Sequence, residues 1–88
     1  MYLDKEILME ELESNECLLA DGYENALIGI SEGPNPVAVY DTELCIKCLM
    51  DNDKMSQEDA VEFFYYNTVG CYIGDKTPLF IKTVKWNQ

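Results

Sequence analysis

Histidine and arginine are both absent from this 88-residue chain, and lysine supplies all six of its cations. Without histidine there is no imidazole base for a catalytic triad, and a zinc site would have to be built from cysteines. Glycine and proline number only five and three, and neither a glycine-rich phosphate loop nor a nucleophile elbow occurs. No apolar run approaches the length of about 20 residues that a membrane helix needs. The opening MYLDKEILMEELE places acids where a secretory leader requires a basic start and an apolar stretch. These absences set four expectations: no enzyme activity, no cofactor, no membrane contact and a cytoplasmic location.

Against the six lysines stand seventeen aspartates and glutamates, a net charge of −11. A field of that sign repels phosphate backbones and anionic lipid, so direct nucleic-acid binding is not expected and a basic protein is the natural partner. The acids are unevenly spread. Residues 1–62 hold sixteen of them with three lysines, whereas residues 63–88 hold Asp75 alone with Lys76, Lys82 and Lys85. The bland alternative is that the acidic surface serves solubility.

Nearly half the residues are apolar, 48%, with six Tyr, three Phe and one Trp, which is globular rather than disordered composition. A chain this short buries only about 60–65% of its unfolded surface, enough for one core and one domain spanning residues 1–88. Apolar burial and ordering entropy nearly cancel at this size, which makes self-association into a homo-oligomer the structural alternative.

Leu3, Ile7, Leu8 and Leu12 at helical spacing predict a helix from residue 3 to about 19, acidic on its other face and stopped by Asp21-Gly22. Asn25–Ser31 and Val37–Tyr40 flank a Gly/Pro turn and predict a hairpin. Asp41-Thr42 starts a second helix, apolar nearly all round, with Leu44, Cys45, Cys48 and Leu49 expected on its inward face. Ser56-Gln57-Glu58-Asp59 fits a capping box and opens a third helix running to Tyr66 or Asn67. Val69–Ile73 and Leu79–Val84, around the turn Gly74–Pro78, predict a second hairpin, after which Lys85–Gln88 frays. The sum is an α+β domain: a mostly antiparallel sheet of about four strands, in two hairpins, with three helices packed on it.

Cys45 and Cys48 have the spacing of a redox or metal pair, but they lie inside an apolar helical run rather than at an exposed helix start. A zinc site would need Cys17 and Cys71 as further ligands. Without a secretory signal the four cysteines are expected as reduced core residues. Asp51, Asp53 and Glu62 fall at positions one, three and twelve of a calcium loop, yet Ser56 occupies the place of its turn glycine and also starts a helix. The aromatic run Phe63-Phe64-Tyr65-Tyr66 would suit a stacking platform only beside a basic groove, so it reads as core with a share in a protein interface.

The pattern of Val37, Val39, Tyr40 and Asp41, then Cys45-Ile46, Met55-Ser56, Glu58-Asp59-Ala60, Asn67, Val69-Gly70 and finally Gly74, Thr77 and Pro78 resembles a family of small uncharacterised proteins of tailed phages and bacteria. It covers about half the chain. Cys48 stands where that pattern usually has an aliphatic residue. The resemblance brings no activity, cofactor or site, and implies a phage-like accessory protein in a bacterial cytoplasm. The expected function is a non-enzymatic protein-binding module docking on a basic host or viral surface, with mimicry of nucleic acid as its sharper form. The candidate contact residues are Glu10, Glu11, Glu13, Glu16, Tyr65 and Tyr66.

Overall fold

In a computed structural model that describes residues 4–84, each helix starts on a side-chain cap. Asp4 accepts from the Ile7 N–H to open α1 (Lys5–Ser14). Asp41 accepts from the Leu44 N–H to open α2 (Thr42–Asn52), and Ser56 accepts from the Asp59 N–H to open α3 (Gln57–Phe63). These carboxylates and hydroxyls satisfy donors that a helix start would otherwise leave unpaired. The strands are β1 (Leu27–Ile30), β2 (Ala38–Asp41) and β3 (Leu79–Ile81). A 3-10 turn at Glu24–Ala26 leads into β1, and a π-helical turn at Phe64–Val69 prolongs α3.

The fold is α+β with three helices, as the residue pattern predicts, but the sheet has three strands and is mixed. β2 is central, antiparallel to β1 and parallel to β3. The first hairpin forms as expected. The second does not, because Val69 belongs to the end of the π turn and residues 71–73 form no strand. Packing decides against the strand: Phe64 is fully buried and Thr68, four residues on, bonds the Tyr23 hydroxyl at 2.8 Å, so helix must continue across both. The chain then returns through the Gly74–Thr77 turn and enters the sheet beside β2 in the same direction, the orientation a long helical crossover permits.

α1 also ends sooner than its apolar spacing suggests. Glu16 takes a left-handed backbone (φ 56°), its N–H donates to the Glu13 carbonyl and the Cys17 N–H to that of Leu12. This is the Schellman closure, built here without glycine, so Asp21-Gly22 lies in the loop beyond it. Left-handed geometry strains any residue bearing a Cβ. Glu16→Gly is therefore expected to raise stability by about 0.5–1 kcal/mol, net of the extra freedom glycine gives the unfolded chain. Urea unfolding checks it, with Ser14→Gly, inside the last helical turn, expected to shift the midpoint the opposite way.

The core joins Leu8 and Leu12 of α1, Cys45, Cys48 and Leu49 of α2 and Ala60 of α3 to an aromatic group on the inner side of the sheet. Tyr40 and Phe80 are register partners in β2 and β3, and their rings stack at 5.5 Å. Phe64 meets Phe80 and Tyr23 edge-on at 5.4 and 6.1 Å. Leu79 and Ile81, alternating with Phe80, stay exposed. Leu44, expected inward, is exposed as well, α2 turning Cys45, Cys48 and Leu49 to the core. The expected fraying of Lys85–Gln88 and the helical start at Leu3 lie outside the described residues.

Candidate functional site

Among the described residues one ion pair forms, Lys47 with Asp51 at 3.4 Å, both well exposed and one helical turn apart. Lys76 instead donates to the Pro36 carbonyl, where with the Asn35 amide on the Asp75 carbonyl it fastens the Gly74–Thr77 turn to the hairpin turn. Among the described residues the negative field of the surface is thus left largely unpaired.

Two acid-rimmed grooves concentrate it. Asp59, Glu62, Phe63 and Tyr66 succeed one another at helical spacing along α3 and into the π turn, and with Met55 and Asn67 they line an open groove of about 590 Å³. Glu10 and Glu13, one turn apart on α1, line a second of about 300 Å³ with Met9, Leu12, Cys17 and Leu19. Between them lies an apolar depression of about 160 Å³ whose walls include Leu19, Asn67, Cys71, Ile73, Pro78 and Phe80. Leu19 lines both this depression and the Glu10/Glu13 groove, and Asn67 both it and the α3 groove, so the three adjoin in a row, a furrow with acids in the lining of its two ends and a mainly apolar middle.

The expected contact residues divide accordingly. Glu10, Glu13 and Tyr66 line the furrow, and Tyr66 is 80% exposed. Glu11 is half-buried and its carbonyl receives both the N–H and the side-chain amide of Asn15, while Glu16 forms the helix stop. Tyr65 leans edge-on against Phe64 at 5.3 Å and belongs to neither groove. Asp59, Glu62 and Met55 are not among the expected contacts, and Phe63 enters only through the aromatic run 63–66. Their signal is the i, i+3, i+4, i+7 spacing of Asp59, Glu62, Phe63 and Tyr66, which places two acids and two rings on one stripe.

The cysteines follow their surroundings. Cys45 is fully buried and its thiol is pushed up to about 12 by loss of solvation, with Cys48 and Asp41 adding to the effect. Cys48 is raised for the same first reason. Such thiols carry almost no thiolate at neutral pH and are poor nucleophiles and ligands. Cys17 is half-buried and donates to the Pro36 carbonyl at 3.3 Å. Cys71, expected in the core, is exposed, because the run 71–73 lies outside the sheet. The residues of the calcium-loop pattern are separated: Asp51 pairs with Lys47, Asp53 caps the end of α2, Ser56 caps the start of α3, and Glu62 lies along α3 and lines its groove.

Several residues of the phage-like pattern have local structural work. Asp41 caps α2 and also accepts from the Thr83 hydroxyl, Ala60 is fully buried, Gly74 has φ 116°, and the Thr77 hydroxyl bridges the Gly74 carbonyl and the Ile73 N–H. Others of the pattern, Met55, Asp59, Asn67 and Pro78, line the depressions described above. No family model, curated protein or solved structure matches the chain.

Proposed function

We propose that the chain is a non-enzymatic protein-binding module that docks a basic surface of its partner into the acid-rimmed furrow. The observation that carries this reading is the furrow itself: Glu10 and Glu13 at one end, Asp59 and Glu62 at the other, with apolar side chains between them. Unpaired carboxylates steer a cationic partner from a distance, and the apolar floor and exposed rings supply the area that holds it. The same field disfavours nucleic acid and anionic lipid as direct partners, and no helix among the described residues is long and apolar enough to cross a membrane. The resemblance to phage proteins supports an accessory role in a bacterial cytoplasm, on a host or viral protein. If that protein handles nucleic acid, the furrow would occupy its phosphate-binding surface as a mimic.

Affinity capture from bacterial lysate at low and high salt tests the reading. One basic protein is expected to be retained at low salt and released at high salt, as screening of exposed charges demands. Retention of the same partner at both salts would count against the acidic surface as the docking site. A second reading, a self-associating protein, is favoured by exposed Leu79 and Ile81 on the outer side of the sheet beside Lys82, and a monomer in sedimentation at high concentration would remove it.

A further inference from the structure

The furrow's order of surfaces specifies more than a positive charge. At the α3 end, Asp59 and Glu62 line the groove together with Phe63, Tyr66 and Met55. A cationic side chain entering there meets carboxylates and aromatic side chains together, the combination that holds guanidinium and ammonium groups. At the α1 end Glu10 and Glu13 line a groove with Met9 and Leu19, a surface suited to the charged head and aliphatic stem of a second basic side chain. The depression between them, walled by Leu19, Ile73, Pro78 and Phe80, measures about 160 Å³, room for one apolar side chain and little more. A uniformly basic strand would leave this middle surface without a partner, and a purely apolar one would leave four carboxylates without theirs.

Resting on the protein-binding reading above, we infer that the furrow binds a single peptide segment bearing a basic side chain at each end and one apolar side chain between them. The partner is thus a protein segment of alternating basic and apolar character, and the three surfaces read it jointly. Charge complementarity chooses this occupant over a second copy of the chain, whose net charge of −11 would oppose approach to the acidic rims.

The test uses two synthetic peptides of equal charge, each with two lysines at either end, differing only in a central leucine or serine. Binding is followed by nuclear magnetic resonance of the isotope-labelled protein. The leucine peptide is expected to bind about tenfold more tightly, the yield of burying one such side chain, and to shift the signals of Ile73 and Asn67 as well as those of Glu62 and Glu13. Glu62→Gln, at an exposed helical position, is expected to weaken both peptides several-fold, whereas Ile73→Ser, also exposed, should abolish the preference for leucine. Equal affinity of the two peptides, with shifts confined to the acidic rims, would overturn this inference and leave the basic-partner reading intact. Failure of either peptide to bind at low salt would overturn both.

Discussion

Phe64→Ala is expected to remove about 3–5 kcal/mol of stability, the range for truncating a buried aromatic residue. A domain of this length holds roughly 4–13 kcal/mol in all, so the variant should be largely unfolded at 37 °C or at a fraction of the parent's urea midpoint. Phe64 has no exposed surface and its ring meets three others edge-on, those of Tyr23, Tyr65 and Phe80. Removing it would also loosen the helical turn that carries Thr68 to the Tyr23 hydroxyl, separating α3 from the segment before β1. Tyr66→Ala, two positions on, is the matched comparison and should change stability by no more than about 0.5 kcal/mol, since its ring projects into solvent. Circular dichroism during urea titration reads both. Equal effects at the two positions would show that the run does not divide into one core residue and one surface residue as the geometry has it.

That division explains how far the amino-acid sequence could be read. Signals within a few residues were legible: Asp41 and Ser56 as caps, the Gly33–Pro36 turn of the first hairpin and the start of every helix after α1. Where two local rules competed, the distant contact decided. Val69–Ile73 has strand composition, yet the bond from Thr68 to Tyr23, 45 residues away in sequence, holds it at the end of a helix. The end of α1 carried no glycine because Glu16 accepts the left-handed position itself. Parallel pairing of β2 with β3 followed from that lost hairpin and left no mark in the spacing of apolar residues.

The site was legible to a similar depth. Acidity suggests a basic partner, and of the residues named from charge density and the aromatic run, Glu10, Glu13 and Tyr66 line the proposed docking surface. The furrow as a whole was not, since its three depressions are related only through Leu19 and Asn67, 48 positions apart, each of which lines two of them. Asp59 illustrates a further obstacle. Its backbone N–H completes the cap on Ser56 while its side chain lines the groove, so a residue accounted for by local structure also belongs to the site.

Stability should fall steeply in alkali, beginning near pH 9. The Cys45 thiol, ordinarily near 9, is raised to about 12 because burial penalises its anion. Between those values the unfolded chain releases this proton and the folded chain keeps it. The unfolded state then binds fewer protons, so each added pH unit costs about 1.4 kcal/mol from this one group. The stabilisation is complete below pH 9 and drains away as pH rises through about 12. Cys48 adds to the slope, and Tyr23 and Tyr40, both raised by burial, extend it above pH 10. Urea midpoints measured under reducing conditions at successive pH values from 8 to 11 test this. Cys45→Ala should be the less stable protein at pH 8, because it loses packed volume, but its midpoint should decline more gently, so that the two curves converge as the pH approaches 11. A parent curve that stayed flat to pH 11 would mean that the α2 thiols reach water in the folded state, and with them the helix face on which the core is built.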